Sequence, residues 1–242
     1  MNAAFLTENH DFAPFGQGHL FALFTAVVFG IVITVVTKRY LNEQQTYWLA
    51  NAVAWFIMLT VIAWTFIKIY LGIFTYTTDL PLPLCNFMAF LLPLLTYTRS
   101  YRLYEVLYFW ILAGTLQANI TPDLANTFPH YTYFKYWIVH SGLVMMIIYI
   151  GIAYRMRPTW KSILRSYLWL QVFFVLMLLV NYLLGSNYNY LNAKPTTASI
   201  LDLFPGWPYY VLVVQAIILP LMALVYLPFA ISDSIRKWRQ VP

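Results

Sequence analysis

The chain has 242 residues, 62% of them hydrophobic and only 9% charged, whereas a soluble domain carries about a quarter charged residues. That composition excludes an ordinary water-soluble enzyme and points to a membrane protein. The net charge of +6 is scattered in short basic groups, which argues against nucleic acid as a partner and for anionic lipid headgroups.

Glu8, His10 and Asp11 open the chain without a basic region, so these residues do not read as a cleavable signal. Seven apolar runs follow, at about 20–36, 47–67, 82–97, 103–120, 133–154, 163–184 and 209–231. A helix needs roughly 17–25 residues to cross a bilayer; most runs have them, and the third is at or just under the limit. Backbone in lipid must satisfy its own hydrogen bonds, so the expected fold class is all-α. The chain reads as one domain, 1–242, a polytopic seven-transmembrane-helix bundle. Pro93 and Pro220 should kink the third and seventh spans.

The gaps between the runs sort by charge. Lys38, Arg39, Arg99, Arg102, Arg155, Arg157, Lys161, Arg165, Arg236, Lys237 and Arg239 fall on one side, and only Lys68, Lys135 and Lys194 on the other. An excess of Lys and Arg marks the cytoplasmic face, which places the N-terminus outside and the C-terminus in the cytoplasm. With a single cysteine, Cys85, no intrachain disulfide can form. Many of the aromatic residues, Tyr40, Trp48, Tyr97 and Trp160 among them, stand at span ends as an interfacial belt.

Polar groups in lipid are costly, and most here lie toward the expected outer side. His19 precedes the first span, Cys85 and Asn86 open the third, and Gln117 and Asn119 close the fourth. His140 and Ser141 lie about two turns into the fifth, while Asn181 and Gln215 fall in the outer halves of the sixth and seventh. Asp123, His130, Asn187, Tyr188, Lys194, Ser199 and Asp202 belong to outer loops. The structured outer loop 185–208 is rich in aromatics, unlike a disordered linker, and reads as a lid over the bundle mouth.

Cys85 and His140 sit at similar depth on spans that run in the same direction. A thiolate is a strong nucleophile and a histidine can take its proton, so the two are the candidate catalytic pair. Gln117, Asn86 or Asp123 could orient the base. His19, Asn86, Gln117, Asp123, His130, Asn187, Tyr188, Lys194 and Asp202 form the wider set of substrate-binding or orienting candidates. Taken singly, Cys85 also reads as a small buried hydrophobe and His140 as a packing residue.

Several segments resemble the YwaF-like bacterial integral membrane proteins, related to animal transmembrane protein 164. They are FGQGHL at 15–20, LPLPLCN at 80–86, GTLQANITPDL at 114–124, FPHYTYFKYWIVHSG at 128–142 and the stretch from NYNYLNAKP to LFPGWPYY at 187–210. The resemblance implies a multi-span helical bundle in a bacterial plasma membrane. The animal relatives resemble phospholipid acyltransferases, in which the cysteine carries the acyl group and the histidine assists. Carried over by motif, these roles fall on Cys85 and His140, and membrane lipids become the expected partners.

The alternative is a non-enzymatic protein with an outward-open pocket, serving binding, transport or assembly. No internal repeat of the kind common in transporters is visible, and the seventh span lacks a lysine for a retinal Schiff base. None of His10, His19, His130 and His140 has the spacing that puts two metal ligands on one helix face, so no cofactor is expected.

Overall fold

The computed structural model describes residues 5–195 and 200–238. Ser199 and Arg239, expected at the outer and inner ends of the bundle, lie outside the described residues. The elements in order are α1 (Gln17–Tyr40), α2 (Glu43–Tyr70), α3 (Leu84–Thr98) and α4 (Tyr101–Trp110), then a π-helical segment (Ile111–Thr115) continuing into α5 (Leu116–Ile120). They are followed by α6 (Tyr131–Ala153), α7 (Trp160–Leu184) and α8 (Tyr209–Trp238), with 3₁₀ turns at Tyr188–Tyr190 and Ile200–Leu203. No strand occurs among the described residues.

Five of these helices, α1, α2, α6, α7 and α8, are long and apolar enough to cross a membrane. α3 is apolar but spans only 15 residues. The fourth apolar run forms one rod, α4 through the π segment into α5, with helical backbone at both junctions. Several helices outrun the apolar runs because polar caps add a turn. Asn42 and Gln45 form a capping box that starts α2, Ser100 caps α4, and Thr159 with Ser162 caps α7. α3 and α8 run on as helices through Pro93 and Pro220.

α6 is the centre of the bundle. It packs against α1, α2, α3, α4, the π segment and α5, while α2 also packs on α3, α4 on α7 and α7 on α8. The close approach of α4 to α6 depends on Gly151, where an added Cβ would lie 2.6 Å from the Tyr104 hydroxyl.

One end of the bundle gathers basic and aromatic groups. Arg99 takes a left-handed conformation (φ 50°) at the end of α3, and its guanidinium lies over the rings of Tyr47 and Tyr154 at 4.8 and 5.0 Å. These cation–π contacts offset the local backbone strain. Tyr101 donates its hydroxyl to the Arg157 carbonyl, and Arg157 pairs with Asp233 at 2.5 Å. Nearby, Glu105 is only 2% exposed and accepts from Ser162 (2.5 Å) and Arg165 (3.1 Å), which locks α4 to α7.

Candidate functional site

The other end of the bundle holds most of the polar residues singled out by sequence. Cys85 lies in the first turn of α3, behind Pro83, which occupies the cap position. At a helix start the first N–H groups lack intrahelical acceptors. The Leu84 N–H is taken by the Asn189 side chain at 2.8 Å, and the Phe87 N–H by the Pro83 carbonyl at 3.0 Å. The N–H groups of Cys85 and Asn86 between them have no backbone carbonyl partner among the described residues. Together with the helix dipole, they favour negative charge beside the thiol.

The Cys85 sulfur has one hydrogen-bond partner among the described residues, the Thr115 hydroxyl in the π segment, at 3.5 Å. His140 points its Nδ1 at the Tyr136 carbonyl, 2.9 Å away, and stacks on the Tyr136 ring at 4.1 Å. A carbonyl can only accept, so Nδ1 carries the ring proton and Nε2 keeps its lone pair. The group that orients His140 is thus a backbone carbonyl one helical turn away, rather than Gln117, Asn86 or Asp123. Tyr136 in turn donates to the Ala118 carbonyl at 2.7 Å.

Cys85 and His140 are not hydrogen-bonded to each other among the described residues. They share neighbours instead. The thiol interacts electrostatically with Lys135 and Tyr136, and the imidazole with Lys135. Lys135 also senses the Lys68–Asp79 ion pair at the end of α2. Cys85, Asn86, Lys135, Tyr136 and His140 are all half-buried. Sequence reasoning passed over Thr115, Lys135, Tyr136 and Asp79; a lysine one turn from a span end reads there as an interfacial anchor.

His19 is fully buried and fully bonded. Its Nδ1 accepts from the Phe15 N–H at 2.9 Å, so Nε2 carries the proton and donates to the Asn119 carbonyl at 2.9 Å. Its ring stacks on Trp137 at 5.1 Å. These contacts dock the start of α1 and leave no lone pair for chemistry. Asn119 is the junction, because its side chain also accepts from Ser141 at 2.6 Å and donates to the Thr115 carbonyl at 3.1 Å. Gln117 is exposed beside it.

His130 caps α6. Its Nδ1 accepts from the Thr132 N–H at 3.2 Å, and burial pushes its pKa below the ordinary value.

The loop after α7 folds back over this end. Asn181 holds Tyr188 by two backbone hydrogen bonds, at 2.7 and 3.0 Å. The Tyr188 hydroxyl donates to the Tyr76 carbonyl (2.7 Å) and accepts from the Leu80 N–H (3.0 Å). Burial pushes its pKa up, so the donor proton is retained. Asn187 organises the following turn through Asn192 and Ala193, and Tyr190 reaches Asp123 at 3.4 Å. Lys194 donates to the Phe204 carbonyl at 2.8 Å, and its ammonium lies 5.8 Å from the Tyr210 ring. Asp202 is exposed on the turn Ile200–Leu203. The structure thus brings Tyr188 and Asn189 against the start of α3, and Lys194 against Tyr210 at the start of α8.

Two apolar grooves, of about 430 and 510 Å³, flank α1 and share Ala26, Ser141 and Met145. Neither is lined by Cys85 or His140.

These features define a multi-pass helical membrane protein with a thiol, an imidazole and an ammonium collected at one end of the bundle. The chain belongs to the TMEM164 family, whose family model matches residues 14–226, most of its length. No curated protein and no solved structure matches it.

Proposed function

We propose that the protein is a membrane-embedded acyltransferase acting on phospholipid at the outer leaflet, with Cys85 as acyl carrier and His140 as its base. The chain crosses the membrane seven times, α3 and the α4–α5 rod included, with the N-terminus outside and the C-terminus in the cytoplasm of a bacterial plasma membrane. The single observation that carries this reading is the state of His140: with Nδ1 tied to the Tyr136 carbonyl, Nε2 is left as a base. It serves a thiol beside two helix-start N–H groups that have no backbone partner among the described residues.

In the first step Cys85 Sγ attacks an ester carbonyl carbon, and its proton passes to His140 Nε2. Hydrogen bonds at catalytic sites tighten when substrate fills them, so the pair need not touch beforehand. The C–S bond forms, and the N–H groups of Cys85 and Asn86 stabilise the oxyanion. The C–O bond then breaks, and the lysolipid leaves with the proton from His140. A second lipid hydroxyl attacks the thioester, His140 removes its proton, the new ester forms and Cys85 recovers its proton as the C–S bond breaks. Lys135, the cation that interacts with both groups, pairs in this scheme with the phosphate of either lipid.

The test is acyl transfer between labelled phospholipid and lysophospholipid by protein reconstituted in vesicles. Wild type should transfer, and Cys85→Ser and His140→Ala should lose at least about a hundredfold. Full activity in either variant would exclude the scheme.

A further inference from the structure

A threonine inside an α-helix usually turns its hydroxyl back on the carbonyl one turn earlier. Thr34, Thr46, Thr60, Thr65 and Thr98 all do so here, each bonding to the carbonyl four residues before it. Thr115 does not. In the π-helical segment the Ile111 carbonyl, four residues before it, takes the Leu116 N–H five residues on, so the turn departs here from the α-helical register. The Thr115 side chain is left facing the neighbouring helix, where its one hydrogen-bond partner among the described residues is Cys85 Sγ at 3.5 Å. The residue is only 1% exposed, so water does not compete for the hydroxyl. The segment is held in place through its own carbonyl, which accepts from Asn119, and Asn119 is in turn fixed by Ser141 and His19. π-helical segments of this kind recur at functional sites.

We infer that Thr115 is a positioning residue for the Cys85 sulfur, aiming it by a hydrogen bond and donating that bond to the thiolate when it forms. The role in acyl transfer rests on Cys85 being the acyl carrier, whereas the pairing itself does not. Because no backbone carbonyl takes its proton among the described residues, the hydroxyl is free to donate to the sulfur once the thiol proton has moved to the base. The same donation supports the thiolate leaving group when the thioester is resolved. The π segment carries this hydroxyl toward the start of α3.

The experiment compares purified wild type, Thr115→Val and Thr115→Ser by two readouts. One is the alkylation rate of Cys85, the only cysteine, with N-ethylmaleimide at fixed pH. The other is acyl-adduct formation with phospholipid, read by intact mass. A hydrogen bond to a charged group changes the thiolate fraction roughly tenfold, and lower intrinsic nucleophilicity gives back about threefold of that. T115V should therefore alkylate about threefold more slowly, and T115S, which keeps the hydroxyl, should return to near the wild-type rate. Wild-type alkylation by T115V, or a T115S as slow as T115V, would overturn the inference. If T115V does not purify folded, T115A reads the same loss. An acyl adduct on wild type with no alkylation difference would refute the role of Thr115 and keep Cys85 as carrier. The alkylation pattern without any adduct would uphold the pairing and refute the carrier.

Discussion

The Asn189 side chain accepts a hydrogen bond from the Leu84 N–H at 2.8 Å, across 105 residues of sequence. A loop residue thereby caps the helix whose next residue is Cys85. Asn189 takes the left-handed region (φ 60°), a conformation Asn tolerates better than most residues. Removing the cap should loosen the helix start. Asn189→Ala is expected to destabilise the protein by about 1–2 kcal/mol, and Asn189→Asp, which retains the acceptor, by less. Thermal denaturation in detergent measures both, and equal losses would contradict the capping role.

At the opposite end, Glu105 and Arg165 differ in exposure, with side chains 3% and 56% exposed respectively. The pair should therefore respond asymmetrically. Arg165→Met leaves a buried carboxylate with only the Ser162 hydroxyl and should cost about 2–4 kcal/mol. Glu105→Gln frees an arginine that can turn to water, and should cost about 1 kcal/mol. Denaturation midpoints for the two variants check the order.

His130 makes stability depend on pH. Its folded-state pKa is lowered by burial, so the native state binds fewer protons than the unfolded state below the ordinary value of about 6.5. Its contribution is present above that pH and is lost as pH falls through the folded-state value. Protonation at Nδ1 would also remove the acceptor that caps α6. Melting temperature should fall between pH 7.5 and pH 5, and fall less in His130→Asn, whose cap does not titrate. An identical fall in both would assign the effect to other groups.

Much of the helical layout was legible in the sequence, because long apolar runs and scattered charge have few solutions in lipid. The ends of the helices were less so, since capped polar turns such as Glu43–Tyr47 and Trp160–Ser162 carry no hydropathy signal. Cys85 and His140 stood out as costly groups at matching depth. His19 stood out for the same reason, yet it is consumed by two hydrogen bonds that no spacing rule announces. The π segment ILAGT is an ordinary apolar stretch to the eye, so the contact between Thr115 and Cys85 depends on a helical register that only three-dimensional packing sets.

The proposed orientation is open to a direct check. In a Cys85→Ala background, single cysteines replacing Lys194 and Lys161 should behave oppositely toward a membrane-impermeant maleimide added to intact cells. Lys194→Cys should label and Lys161→Cys should not. The reverse pattern would invert the topology and move the site to the cytoplasmic leaflet.

The central claim is that Cys85 carries an acyl group, and intact-protein mass spectrometry tests it most directly. Detergent-purified wild type, Cys85→Ala and His140→Ala would each be incubated with phospholipid and weighed before and after hydroxylamine. The account predicts a hydroxylamine-labile mass increase of one acyl chain on wild type and none on Cys85→Ala. Absence of any adduct on wild type, also when sampled at short times without an acceptor lipid, would contradict it and favour a binding or transport role.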